Sequence, residues 1–391
     1  MKKLIRNVRI VDGGLITPGS LLIEGGKITG VLAPDAVVPD ADAFEGDGLY
    51  ASAGFIDTHT HGAGGADFMD GTTDAYKTAC RMHLIHGTTT IIPTTLAASN
   101  EEIARSIEAF NAVKEELNRD QYVPGLHLEG PYFAMAMKGG QDPRYIRNPN
   151  PAEYRAFVEN AKGAILRWSI APELPGAMEM GDYLCANDII PTIGHTDATY
   201  DDVKEAIRHG YTHITHLYSC TSSIVRKGGF RILGVTESAY CFDALTVELI
   251  ADGCHLPLEL IRMIVKCKGV DRIALITDSL RPAGLDVTET TIGSSEDGRS
   301  VIIEDGVAKL PDRSAFAGSI ATADRLVRTV WKKAGIPLTD TIRMMSENPA
   351  KIMHLDDRKG RLLPGKDADV VLFDEDVNVR DVFYMGRRVN A

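Results

Sequence analysis

The chain has 391 residues, enough for one large domain and one small one, and its 44% hydrophobic and 25% charged residues are the proportions of an ordinary globular protein. A formal charge of -12 excludes a general binder of phosphate backbones, which needs clustered Lys and Arg. No run approaches the roughly 20 apolar residues of a membrane-spanning helix, and six scattered cysteines without CxxC spacing suggest reduced thiols. The expectations are a cytoplasmic protein with no nucleic-acid partner and no membrane contact.

Short β-rich runs separated by turn signals open the chain, as in Leu4-Ile-Arg-Asn-Val-Arg-Ile-Val, Asp12-Gly-Gly and Ser20-Leu-Leu-Ile-Glu-Gly-Gly-Lys-Ile. The same texture returns in Gly365-Lys-Asp-Ala-Asp-Val-Val-Leu-Phe-Asp and Val382-Phe-Tyr-Met-Gly-Arg-Arg-Val. Residues 1–52 and 356–391 are therefore expected to share one small β-sandwich domain around a catalytic domain of residues 53–355. Within 53–355, strand-length apolar runs alternate with helical patterns, which implies parallel strands joined by crossover helices. Eight such strands can be counted: Gly54-Phe-Ile-Asp-Thr-His, Thr88-Thr-Thr-Ile-Ile-Pro, Pro124-Gly-Leu-His-Leu-Glu, Ile165-Leu-Arg-Trp-Ser-Ile, Ile189-Ile-Pro-Thr-Ile-Gly-His, Thr212-His-Ile-Thr-His, Leu245-Thr-Val-Glu-Leu-Ile and Arg272-Ile-Ala-Leu-Ile-Thr-Asp. The fold class expected is α/β, a (β/α)8 TIM-like barrel. Thr199-Tyr-Asp-Asp-Val-Lys-Glu-Ala-Ile-Arg-His-Gly, with a capping residue, early acids and a final Gly, is a helix.

Barrel active sites are built at the C-terminal strand ends, and here those ends carry His59 and His61, Glu129, His195, His216 and Asp278, with His255 following the seventh strand. His59 and His61, two apart on a strand, project from one face and can share a cation. Alternation along the sixth strand lets only one of His213 and His216 enter the barrel, and His216 is nearer its C-terminal end. A divalent cation held by this set lowers the pKa of water to ~7 and polarises a carbonyl. Asp278 is then the proton carrier for amide hydrolysis. Imidazole and carboxylate donors suit zinc first, with iron, manganese and cobalt as alternatives. His83, His86, His127, His209, His213 and His354 receive no function.

These strand-end residues resemble the amidohydrolase superfamily. The segments His127-Leu-Glu-Gly-Pro, Ile193-Gly-His-Thr-Asp-Ala, Thr215-His-Leu-Tyr, Ala251-Asp-Gly-Cys-His, Ile276-Thr-Asp-Ser, Ala317-Gly-Ser, Glu347-Asn-Pro-Ala and Gly365-Lys-Asp-Ala-Asp are similar, in order, to the N-acetylglucosamine-6-phosphate deacetylases within it. That resemblance implies Glu129 as a ligand in place of a carboxylated lysine, and one or two ions in all, since His59 and His61 permit a second. It also implies that His255 and a basic residue after strand six, Arg226 or Lys227, bind a sugar phosphate partly across a homodimer interface. Gly140, Gln141, Ser219, Cys220, Phe316, Ala317 and Gly318 complete the implied substrate contacts. Three stretches depart from the family pattern: Ser219-Cys-Thr replaces Asn-Ala-Met, Val225-Arg-Lys-Gly-Gly replaces Gly-Arg-Glu-Pro-Gly, and Gln141 stands where a substrate-contacting His is usual.

The implied reaction is removal of acetate from an N-acetylhexosamine 6-phosphate. The departures leave open the galactosamine isomer, an N-acyl amino acid or a cyclic amide as substrate. A barrel retained only for binding is the reading from another class. Buried unpaired His and Asp disfavour it, because they cost stability without a metal.

Overall fold

Apolar runs too short for helices become strands buried on both faces in the computed structural model, which describes residues 2–389. Eight alternate with helices: Phe55–Thr60, Thr88–Pro93, Leu126–Glu129, Ile165–Ile170, Ile190–Ile193, His213–Ile214, Thr246–Ile250 and Ile273–Ile276. The third to the eighth form one parallel sheet in that order, and the first pairs in parallel with the second. Bridges from Thr90 to Tyr122 and from Thr94 to His127 join the second strand to the third. The Asp278 amide donates to the His59 carbonyl at 2.9 Å and the His61 amide to the Ser279 carbonyl at 2.8 Å, which joins the eighth to the first. The result is the closed (β/α)8 barrel expected from the strand count.

The crossover helices form where an apolar stripe coincides with good end chemistry. Asn100–Leu117 buries Ile103, Ile107, Phe110, Val113 and Leu117, and Ser99 and Glu102 close a reciprocal capping box at its start. Tyr200–Arg208 likewise begins on a box between Thr199 and Asp202, and Gly210, at φ 87°, lets the chain turn away.

Both chain ends meet in one sheet. Val370–Phe373 pairs antiparallel with Tyr50–Ala53, which pairs in parallel with Lys2–Asp12. Leu15–Glu24 and Lys27–Leu32 continue the sheet on one side, and Val379–Tyr384 and Arg387–Arg388 on the other. These strands belong to one continuous sheet. Its far strand reaches back through bonds from the Ile28 amide to the Lys366 carbonyl and from the Ala368 amide to the Gly26 carbonyl. Ile5, Leu21, Ile23, Val370, Leu372 and Phe383 form its separate apolar core.

After the eighth barrel strand comes an insertion that sequence periodicity did not reveal. Glu289–Ile292, Arg299–Glu304, Val307–Lys309 and Phe316–Gly318 make a small antiparallel sheet, held to the barrel mouth by a bridge between Ser279 and Ser319. It stands over the C-terminal strand ends and supplies part of the cavity wall described below.

Candidate metal centre and substrate cavity

Three of the strand-end residues leave the extended conformation where their strands stop. His195, His216 and Asp278 have φ of 48°, 29° and 48°, and Tyr218 and Cys220 in the loop after the sixth strand are also positive. Left-handed backbone is costly for residues with a Cβ, and a cluster of it at one barrel mouth marks a place where side-chain direction outweighs local comfort.

The sixth strand shows the effect directly and corrects the alternation argument. Its ladder covers only His213–Ile214, so strict alternation ends before His216. His213 faces the interior, with Nε2 3.4 Å from Glu248, and the positive φ at His216 swings that ring inward as well. Both histidines therefore enter the barrel, one at the floor and one at the mouth.

Each of the four mouth imidazoles uses Nδ1 on a fixed acceptor. His61 meets the Thr94 carbonyl at 3.2 Å, His195 the Met137 carbonyl at 2.8 Å, His216 the Ser219 carbonyl at 3.0 Å, and His59 the Glu248 carboxylate at 3.1 Å. With Nδ1 donating, each Nε2 is the nitrogen that gives up its proton when a cation binds, and all four Nε2 atoms converge on Glu129. Oε1 of Glu129 lies 3.0 Å from His195 and 2.9 Å from His216, and Oε2 lies 3.4 Å from His61. Asp278 Oδ1 is 3.4 Å from His59 Nε2 and 3.1 Å from His61 Nε2.

Donors held about 2.1 Å from one tetrahedral ion stand about 3.4 Å apart, so these spacings suit a bound cation. Two donor groups share Glu129: His59 and His61 with Glu129, and His195 and His216 with Glu129. The buried His59 Nε2 has no hydrogen-bond partner, an orphan that a cation on the first group would satisfy. The electrostatics agree. Burial would depress His59, yet Glu129 and Asp278 carry its pKa up to about 10. Burial would likewise raise Glu129, but the charges of His59 and His195 and hydrogen bonds from His195 and His216 hold it well below the usual carboxylate range. The cluster attracts positive charge.

Above the centre lies a cavity lined by His61, Glu129, His195, His216 and Asp278 and, from the surrounding loops, by Gly140, Gln141, Ser219, Cys220, His255, Phe316, Ala317 and Gly318. Asp252 Oδ2 accepts from His255 Nδ1 at 2.8 Å, and Phe316 meets the imidazole edge-on at 5.0 Å. Arg226 and Lys227 stand apart. A turn at Gly228-Gly229, both with positive φ, folds Val225–Lys227 and Phe230–Ile232 into an exposed hairpin that contributes nothing to the cavity wall.

Several important residues escaped sequence reasoning. Glu248, in the seventh strand, is fully buried and pairs with the equally buried Arg167 of the fourth. Glu248 also accepts from Thr58 at 3.2 Å and from the His216 amide at 3.3 Å, so one carboxylate steadies two mouth histidines. The signal was present, since an acid and a base each interrupt an otherwise apolar strand. Asp57, whose buried carboxyl is pushed up to about 6, receives the Thr277 hydroxyl at 2.5 Å and ties the first strand to the eighth. Asp252 and the cavity residue Tyr218 were likewise passed over.

The model of the Amidohydrolase family matches residues 50–389. The chain belongs to that family. Among relatives of this amidohydrolase is an N-acetylglucosamine-6-phosphate deacetylase of Lysinibacillus sphaericus, 31% identical over 385 residues, with 98% of this chain and 97% of that protein covered. An N-acetylgalactosamine-6-phosphate deacetylase of Escherichia coli O157:H7 is 28% identical, with 92% of each covered. The N-acetylglucosamine-6-phosphate deacetylase structure from Pasteurella multocida superposes with a TM-score of 0.92 at 28% identity, covering 100% of both chains. A mutant of the Mycobacterium smegmatis deacetylase, solved in complex with N-acetyl-D-glucosamine-6-phosphate, gives 0.90 at 28% identity and 99% coverage of both chains. Like its family, the chain is a metal-dependent hydrolase of amide bonds, the chemistry expected from the strand-end residues.

Proposed function

We propose that this amidohydrolase hydrolyses the acetamide of an N-acetylhexosamine 6-phosphate, N-acetyl-D-glucosamine 6-phosphate first, to the amino sugar 6-phosphate and acetate. The observation that carries the reading is the convergence of four imidazole Nε2 atoms on Glu129, with Asp278 beside two of them, beneath a cavity walled by His255. The full-length likeness to deacetylases of such sugars points to the substrate. His59, His61, Glu129, His195, His216 and Asp278 would hold one or two divalent cations, with zinc the choice that the donor set favours. Such a cation supplies Lewis-acid polarisation of the amide carbonyl and acidifies water. Asp278 takes one proton of the attacking water on Oδ1 and returns it to the departing nitrogen, so that the C–N bond breaks to acetic acid and a neutral amine, and the acid's remaining proton passes to the amine to leave acetate and an ammonium.

His255, oriented by Asp252, binds the phosphate. Arg226 and Lys227 reach the phosphate from the second protomer of a homodimer, and exposed Ile224, Val225 and Phe230 around them support such an interface. Gly140, Gln141, Ser219, Cys220, Phe316, Ala317 and Gly318 enclose the sugar. No helix is long and apolar enough to cross a membrane among the described residues. The six cysteines are all free, which supports a cytoplasmic location.

The galactosamine isomer is the second reading, favoured by the replacements at Gln141, Ser219 and Cys220 and by the 28% identical galactosamine-specific relative. Acetate release is to be measured side by side for both 6-phosphates, both unphosphorylated sugars, an N-acyl amino acid and a cyclic amide. Acetate from a 6-phosphate alone is expected. Turnover of only the last two removes the sugar reading, and zinc uptake without any turnover removes the catalytic one.

A further inference from the structure

Gln141 lines the cavity, but both ends of its amide are already engaged by the protein. The Ala97 amide donates to Oε1 at 2.8 Å, and since that partner is a donor, the amide oxygen must face it. Nε2 therefore faces Glu129 and donates to Oε2 at 2.6 Å. The residue is 4% exposed and its backbone is pinned as well: its N–H donates to the Lys138 carbonyl at 2.9 Å, and its carbonyl accepts from Arg299 at 3.2 Å. Gly140 before it packs against the Ala317 backbone so tightly that a Cβ there would lie 2.8 Å from the Ala317 oxygen. Gln141 is a fixed donor, not a loop residue waiting for substrate.

The two oxygens of Glu129 have different anchors. Oε1 is set by His195 and His216, whereas Oε2, the oxygen nearer His61, is set by Gln141. We infer that Gln141 is a positioning residue which holds Glu129 in its bridging orientation and so determines the affinity of the cation held by His59 and His61, with little effect on the cation held by His195 and His216. The inference rests on the metal-centre reading above. Without the Gln141 donor, Oε2 keeps no hydrogen bond and can swing about the anchored Oε1, so the His59–His61 group loses a fixed third donor.

The test is zinc binding to metal-free protein, measured against a competing chelator, for the wild type, Gln141→Met, Gln141→Asn and Gln141→His. Met keeps the volume but removes the donor, and Asn keeps the polarity but is one methylene too short. The wild type is expected to take up two equivalents. Both of the first two variants should bind the first equivalent within threefold of wild type and the second about 10–100-fold more weakly, the usual cost of losing a partner that orients a metal ligand. Gln141→His, which restores a donor of similar reach, should recover most of the second affinity. Unchanged binding of both ions, or equal weakening of both, overturns the role of Gln141 and leaves the hydrolase reading intact. A wild type that holds one ion also overturns it, whereas a wild type that holds none sinks the metal centre itself.

Discussion

Replacing Glu248 by Leu should destabilise the protein severely. Arg167 and Glu248 have no exposed side-chain surface, and their pairing lies in the barrel floor between the fourth and seventh strands. Leu is similar in size, so the loss is electrostatic: a guanidinium remains buried with no counter-charge, which costs about 3–5 kcal/mol. Thr58, His59 Nδ1 and the His216 amide lose their acceptor as well, at about 1–3 kcal/mol for each group left unsatisfied, with water entry relieving part of it. The loss should therefore reach at least the upper end of the ion-pair range. The double variant Arg167→Met, Glu248→Leu removes both charges and should recover most of the stability, giving a large favourable coupling in a double-mutant cycle. Urea unfolding followed by the fluorescence of Trp168 and Trp331, on metal-free proteins so that lost cations do not contribute, reads both effects. A single variant within about 1 kcal/mol of wild type, or a double variant no better than the single, would refute the account of a buried, mutually dependent pair.

Asp278→Asn should lower kcat about 10²–10⁴-fold while zinc remains on the His195 side, as measured by metal content beside acetate release; retained turnover would remove Asp278 as proton carrier. His255→Gln should raise KM for the sugar phosphate roughly tenfold and leave kcat within about threefold, the signature of a lost charge-assisted contact made equally in ground and transition states, and an unchanged KM would remove His255 as a phosphate ligand. Burial depresses the His83 imidazole to about 4, against 6.5 in the unfolded chain, so the unfolded state binds more protons between those values. Stability from His83 is complete above pH 6.5 and is lost as pH falls towards 4, by about 3 kcal/mol in all. The difference in unfolding free energy between wild type and His83→Met should shift by that amount between pH 7 and pH 4, and parallel curves would show that the ring is not held neutral.

Much of the barrel was legible in the residues because strand length, burial on both faces and helix caps are local properties. Seven of the eight observed strands fall within a stretch read as a strand and the first, Phe55–Thr60, runs one residue past its stretch, and Thr199 and Asp202 cap a helix as their spacing required. The His59–His61 pair was equally legible, since two residues two apart on a strand share a face whatever surrounds them.

What the linear order could not decide depends on partners distant in the chain. Alternation placed His216 in the barrel but left His213 out, because the backbone turns left-handed where the strand ends and lets both rings face inward, a conformation imposed by tertiary contacts against local preference. Arg167 and Glu248 are 81 residues apart, and only barrel closure makes one the counter-charge of the other. The sheet built from Glu289–Gly318 is partly exposed and carries a weak apolar pattern, so it was missed until its bridge to Ser279 placed it over the mouth. The sequence alone determined which side chains are available to the chemistry. The tertiary structure decided which atom of each faces the centre, because the free nitrogen of an imidazole is set by what its other nitrogen donates to, and those acceptors come from other strands and loops.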